Sequence, residues 1–240
     1  MISKGEIKEI RSLAQKKFRD ETGLFVVEGE KLVEEALHSG FEVVKVFRSA
    51  EIGEENMARI SMLTHPSPIL AVVRKPAAIQ PVPTSGELIL ALDSLRDPGN
   101  VGTILRLADW FGIRTVLVSP DSVDLYNPKV VQATMGAIFR VRVHECALPE
   151  TLAGYRLAGL PVYGTFLRGD SLYEAPLQNE GVIVMGSERD GISPEVEAVV
   201  SQRLTIPPFP PEQPPGAESL NVATAAAVIC GEFRRRFITH

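Results

Sequence analysis

Short apolar runs and amphipathic stretches alternate along the whole chain, and their periods predict its elements. A basic amphipathic helix is expected over about residues 5–20, then a strand at LFVVEG. Leu32, Val33, Ala36 and Leu37 recur at helical spacing and predict a helix over about 29–39. A strand at VVKVF, a helix near 54–63 and a strand at ILAVV complete a small βα-alternating domain, residues 1–75. Residues 76–86 lie in KPAAIQPVPTSG, where three prolines, no regular period and a closing Ser-Gly mark a linker.

From residue 87 to 240 the alternation resumes. ELILALD, TVLVS, PVYGTF and GVIVMG are nearly continuous apolar runs, as strands buried on both faces should be. A strand near 138–143 and RLTIP join them. Helices are expected near 100–111, 127–135, 149–158 and 218–237. Strands separated by helices predict an α/β fold with a parallel sheet covered on both faces. PPFPPEQPPGA, residues 207–217, carries six prolines and is expected to be an extended, stiff loop.

Composition narrows the class. The chain has 240 residues, 45% hydrophobic and 23% charged, enough apolar material for a sizeable core. No apolar run reaches membrane-spanning length, and the first residues lack a signal-peptide core. Cys146 and Cys230 are the two cysteines and the four histidines are scattered, so neither a disulfide framework nor a metal site is expected, and a cytoplasmic location fits. The net charge of −5 counts against RNA binding by bulk electrostatics. The charge is uneven, however. Residues 1–75 carry 12 basic and 12 acidic side chains, residues 76–240 carry 13 and 18. Lys4, Lys8, Arg11, Lys16, Lys17 and Arg19 form a basic cluster, read either as a solvated helix face or as an RNA-facing patch.

Three loops follow buried strands, where open α/β sheets bind ligands. In LDSLRDPGNVGTILR, Asp97-Pro98-Gly99 signals a turn, Asn100 is a candidate helix N-cap, and Arg106 lies within the helix. In VIVMGSERDGIS, Ser193 and Pro194 explain a helix start, whereas Gly186 and Glu188 have no evident structural reason; Gly186 would let a ligand approach backbone closely. In AESLNVATAAAV, Glu218-Ser219 could cap a helix, but Asn221 is unfavourable inside one. The first loop is neither GxGxxG nor GxxxxGK[ST], which argues against a dinucleotide or nucleotide-phosphate site.

Together these loops resemble the three motifs of the SpoU (TrmH-like) RNA 2′-O-ribose methyltransferases of the SPOUT superfamily. N-x-G-x-x-x-R stands as Asn100, Gly102 and Arg106; G-x-E-x-x-G-x-S as Gly186, Glu188, Gly191 and Ser193; and E-S-L-N-V as Glu218 to Val222. YNPKVVQATMGAIFRV also resembles the family stretch between the first two motifs, and the likeness extends over residues 88–236. The N-terminal part, with FVVEGEKLVEEAL and THPSPILAVV, is similar to the small RNA-binding domain of members acting on rRNA.

The resemblance implies a C-terminal trefoil knot, which the patterns do not reveal. It implies S-adenosyl-methionine bound near Thr165, Met185, Gly186, Ser187, Ile206, Ser219 and Leu220. It implies a catalytic set of Asn100, Arg106, Glu188, Ser219 and Asn221, with Asn100 orienting Arg106 or the ribose, and a homodimer that brings Arg106 near the partner's cofactor. Glu188 would hold Asn100. The expected reaction is methylation of a ribose 2′-hydroxyl in structured RNA, large-subunit rRNA ahead of tRNA, without metal. RNA would be held by Arg106, the six basic residues of the N-terminal cluster, and Arg140 with Arg142. A catalytically inactive RNA-binding assembly factor is the rival reading. Two departures from the family pattern are the long proline-rich 207–217 and Leu107 after the arginine.

Overall fold

The computed structural model describes residues 2–210, 216 and 218–238. The chain divides into two compact units, residues 1–77 with 124–140, and residues 78–123 with 141–240. The expected second domain ran unbroken from 87 to 240. In the structure 124–140 instead packs with the N-terminal residues, because its apolar side chains complete the core there.

In the first unit β1 (Leu24–Glu28), β2 (Val43–Arg48) and β3 (Ile69–Arg74) form one sheet in the order β1-β3-β2, antiparallel at both pairings. The βα alternation expected here is present, but β3 inserts between the other two strands. Both faces are covered, which explains the unbroken apolar runs. Phe25, Val27, Ala71 and Val73 pack on Leu32 and Val33 of α3 (Glu30–Leu37) and on Val131 of α7 (Pro128–Thr134). Val26, Leu70 and Val72 point the other way, onto Ile7 and Ile10 of α1 (Lys4–Ser12) and Met57 and Ile60 of α5 (Glu54–Ile60). A short α4 (Ser49–Ile52) precedes α5.

The basic helix expected over 5–20 is two helices, α1 and α2 (Lys16–Thr22). Neither Gly nor Pro breaks it. The turn at 13–15 aims Arg19 back at the carbonyl of Leu13, to which its Nη1 donates at 2.6 Å, while its Nε donates to Asp124 at 2.8 Å.

The second unit holds a six-stranded, all-parallel sheet in the order β6-β5-β4-β8-β7-β9. The strands are β4 (Leu88–Leu92), β5 (Thr115–Val118), β6 (Arg142–Glu145), β7 (Val162–Ser171), β8 (Gly181–Met185) and β9 (Gln202–Thr205). α8 (Leu148–Leu157) and α9 (Pro194–Glu197) cover the face bearing Ile89, Ala91, Val182 and Val184. On the other face Tyr163 packs edge-on against Phe233 of α10 (Val222–Arg236), and α10 lies along α6 (Pro98–Trp110). The chain runs from β4 outward through β5 to β6, then fills the other side with β7, β8 and β9. The order therefore reverses between β4 and β8, and loops beyond their carboxyl ends face a natural ligand crevice.

No helix among the described residues is long and apolar enough to cross a membrane.

Candidate active site

β4 and β8 end in register, Leu92 beside Met185, so the loops 93–97 and 186–193 leave the sheet side by side. Asp93 ties them together. Its backbone N–H donates to the Met185 carbonyl at 2.9 Å, and its buried carboxylate accepts the Ser193 N–H at 2.7 Å. The next residue, Ser94, has φ 58°, a left-handed conformation that strains any residue with a Cβ by about 1 kcal/mol or more. Neighbouring hydroxyls hold it there. Ser119 Oγ accepts the Ser94 N–H at 2.8 Å, Ser122 Oγ accepts the Leu95 N–H at 3.0 Å, and Ser94 Oγ donates to Asp121 at 2.6 Å. Hydrogen bonds from the Ser119 and Ser94 hydroxyls keep the Asp121 carboxyl below its ordinary range. None of these residues stood out in the sequence. The one signal was the polar SPDS immediately beyond the apolar TVLV.

The loop then enters α6. Asp97, not Asn100, is the N-cap: Asp97 Oδ1 accepts the Asn100 N–H at 2.7 Å, and Pro98 fills the first helical position. Relieved of capping, the Asn100 side chain donates through Nδ2 to Glu188 Oε1 at 2.8 Å. Asn221 is itself the N-cap of α10, its Oδ1 accepting the N–H groups of Ala223 and Thr224 at 3.0 and 3.2 Å. Its place at a helix start, not inside one, removes the propensity objection. Its Nδ2 is left to donate to Glu188 Oε1 at 2.7 Å and Asn100 Oδ1 at 3.0 Å. Three loops far apart in sequence thus meet at one carboxylate oxygen. A cleft of about 20 Å3 beside it is lined by Leu95, Arg96, Asp97, Asn100, Ser187, Glu188 and Val222.

Gly186 has a structural reason after all. A Cβ there would lie 2.3 Å from the backbone of Gly191 and of Ile192, because residues 187–191 double back through paired hydrogen bonds between Ser187 and Gly191. The turn packs against the face where a Cβ would stand. Ser193 precedes α9 but makes no side-chain cap; the Asp93 carboxylate holds its N–H instead.

The other expected site residues lie on adjacent rims. Thr165 leaves the inner part of β7, and its hydroxyl donates to the Val184 carbonyl at 2.9 Å. Met185 is buried at the end of β8, Ile206 is half-buried just past β9, and Ser219 and Leu220 are exposed directly before Asn221. Arg106 joins none of them. It is exposed, and among the described residues it makes no hydrogen bond or ion pair. Six residues separate it from Asn100, about 9 Å along the helix axis and roughly 120° around it. Within one chain Asn100 therefore does not contact Arg106: its Nδ2 donates to Glu188 and its Oδ1 accepts from Asn221, which leaves one N–H and one lone pair for a ribose. The proline-rich expectation falls partly on residues 211–215 and 217, outside the described residues.

In the N-terminal cluster, Arg19 is removed from the RNA-binding candidates. It is 1% exposed and paired with Asp124, so it cannot meet a polyanion. Lys4, Lys8 and Lys17 are exposed, Lys16 pairs with Asp20, and Arg11 donates to the Ser61 carbonyl. Arg140 pairs with Glu35 and Arg142 with Glu87. No group of metal-ligating side chains gathers among the described residues.

Residues 87–231 match the SpoU rRNA methylase family. The chain belongs to that family. Residues 4–75 match the MRM3-like substrate-binding domain. The chain is 29% identical to the 23S rRNA (guanosine(2553)-2′-O)-methyltransferase RlmP of Bacillus subtilis, covering 95% of this chain and 96% of that protein. Among solved structures it resembles a TrmH-family protein from Porphyromonas gingivalis, at 45% identity and a TM-score of 0.89 over 98% of this chain and 99% of that one. It also resembles an S-adenosyl-methionine-bound rRNA methyltransferase from Sinorhizobium meliloti, at 28% identity and a TM-score of 0.88 over 100% and 97% of the two chains.

The rim of this SpoU-family unit fits that methyl donor chemically. Ile206 and Leu220 offer apolar surface for a flat heterocycle, Ser219 a hydroxyl, and the Glu188 carboxylate suits a cationic sulfonium.

Proposed function

We propose that the protein transfers the methyl group of S-adenosyl-methionine to a ribose 2′-hydroxyl in large-subunit rRNA. The single observation that carries this is the convergence of Asn100, Glu188 and Asn221 at the strand-order reversal. When bound, the donor supplies an electrophilic methyl on a cationic sulfur. That methyl would be the group the ribose hydroxyl takes. The chain has to hold donor and hydroxyl in line about 3 Å apart. Glu188, with the two asparagines, locks the loops that define this position. Thr165, Met185, Gly186, Ser187, Ile206, Ser219 and Leu220 hold the donor, Gly186 and Ser187 through backbone.

Arg106 holds the target phosphate and stabilises developing charge on the ribose oxygen; a guanidinium is a poor proton acceptor. Its position away from Asn100 on α6 supports a role across a homodimer, in the partner's site. Trp110, 85% exposed at the end of the same helix, supplies apolar surface for that seam. The return of the chain from β9 to the rim of β4 and β8 supports threading of the C-terminal segment as a trefoil knot. Ribosomal RNA is favoured over tRNA by the N-terminal match to a substrate-binding domain and by the B. subtilis relative. We assign the protein to the cytoplasm, where its two free cysteines remain reduced.

The test is transfer of tritiated methyl from the donor to unmodified large-subunit rRNA, with the modified ribose mapped and calorimetry for donor binding. Label in a single ribose is expected. No donor binding and no transfer would overturn the reading. Arg106→Lys is expected to lose turnover; near-normal turnover would rule out a role for the planar fork.

A further inference from the structure

The acidity that suits a cationic donor is a problem for the other substrate. The active-site unit carries more acidic than basic residues, and Glu188, Asp93, Asp97 and Asp121 all lie in its rim loops. A phosphodiester brought to this rim is repelled unless nearby cations offset these charges.

Most arginines of the unit are committed elsewhere. Arg142 pairs with Glu87, and Arg203 pairs with Glu197 and stacks 3.6 Å over Phe166. Arg235 and Arg236 share Glu232, and Arg234 donates to the carbonyls of Phe111 and Gly112. The side chains of Arg96, Arg106, Arg114 and Arg168 make no hydrogen bond or ion pair among the described residues, and Arg189 meets only the adjacent Asp190. Of these five, Arg96 and Arg189 are the two that stand in the loops leaving β4 and β8. Leu92 and Met185 are paired at the rim, and four residues beyond each stands an arginine: Arg96 after β4 and Arg189 after β8. Arg96 lines the cleft beside Asn100 and Glu188, is exposed, and makes no hydrogen bond or ion pair among the described residues; its charge acts on the Asp121 carboxylate only through space. Arg189 is 91% exposed, and its one carboxylate neighbour is the adjacent Asp190 at 3.9 Å. Both loops are anchored at their bases, Ser94 by Ser119 and Asp121, and residues 187–191 by their own paired hydrogen bonds. Arg96 thus stands in the cleft beside Asn100 and Glu188, and Arg189 follows Glu188 directly, each on a loop with a fixed base.

We propose that Arg96 and Arg189 are a phosphate clamp, holding the RNA backbone on the two sides of the target ribose. The inference rests on the methyltransferase reading above. The clamp places the acceptor strand over the Asn100–Glu188–Asn221 cluster, whereas the N-terminal unit supplies affinity for the surrounding RNA.

Counterion release gives a readout independent of chemistry. Binding of unmodified, in vitro transcribed large-subunit rRNA is titrated against salt for the full-length protein, R96Q, R189Q and R96Q/R189Q, with R96K/R189K as control. Each Gln variant is expected to flatten the slope of log affinity against log salt by about 0.7, and the double variant by about 1.4. The double Lys variant should keep the parent slope, because release counts charge. The double Gln variant should raise the RNA KM by roughly tenfold near 0.15 M salt, and low salt should reverse much of this. Affinity for S-adenosyl-methionine should not change. An unchanged slope in R96Q/R189Q overturns the clamp, and so does a loss of donor affinity, which would assign the arginines to the donor site. If the Gln variants flatten the slope as expected but the parent transfers no methyl, the methyltransferase reading fails and the two arginines are RNA-backbone contacts without a target ribose.

Discussion

Asn221 shows how one side chain can serve two purposes and how they can be separated. Its oxygen caps α10 and its amide nitrogen reaches Glu188 and Asn100. Asn221→Asp keeps the capping oxygen but sets a second carboxylate against Glu188. Methyl transfer is expected to fall by at least about tenfold, and the melting temperature to fall at neutral pH and recover as the paired carboxyls protonate in acid. Asn221→Ala should lose transfer and also about 1 kcal/mol of stability, the usual worth of a cap. Transfer assays and calorimetry on the pair check this. A drop in stability alone would assign Asn221 to capping only. Arg19 illustrates the opposite case, a cation that reads as RNA-binding and is structural. Arg19→Ala leaves Asp124 desolvated without its partner, and a loss of about 3 kcal/mol or more is expected. Lys8→Ala, at an exposed position, should leave the melting temperature in place and weaken only RNA binding. Thermal unfolding and RNA titration of the two variants separate the roles.

At the scale of elements, the segment around α7 decides what can be removed. Residues 124–140 come late in the sequence and pack in the first unit, where Val131 and Ile138 join Phe25, Val27 and Leu32 in one core. Removing residues 1–75 would expose that apolar face, about 25 cal/mol for each Å2 uncovered. The truncated chain is expected to aggregate; a soluble, monodisperse product by light scattering would contradict this packing. α10 supplies a pH-dependent element. Hydrogen bonds from Arg235, and then from Arg236, lower the Glu232 carboxyl from 4.5 to about 2. Arg236 in turn donates to the carbonyls of Leu172 and Ala175. A carboxyl with a depressed folded-state pKa stabilises fully above 4.5, and that contribution is lost as pH falls toward 2. Glu232→Gln should therefore melt lower than the parent near pH 7, with the gap closing through the acid range. A gap that is constant with pH would refute the ion-pair account.

Across the whole molecule, the periodicities alone carried the α/β class and the near-continuous parallel strands. Unbroken apolar runs report burial on both faces whatever the strand order. Glu188 and Asn221 were legible as residues out of place in their local setting, Asn100 only as a candidate cap, and the family motifs gave the three a shared meaning. Their convergence was not legible, since it depends on β4 and β8 becoming neighbours, and strand order is a long-range property that no local period encodes. The same limit explains the rest. Arg19 has the local pattern of a surface cation, and only Asp124, 105 positions later, makes it buried. Gly186 had no evident structural reason in the sequence, and the fold supplies one by laying Gly191 and Ile192 against it. Sequence by itself determined which segments must be buried and which residues are chemically unusual, because side-chain polarity and backbone preference act locally. Tertiary structure decided which of those residues meet and which cations remain free for RNA, because pairing and desolvation depend on neighbours far along the chain.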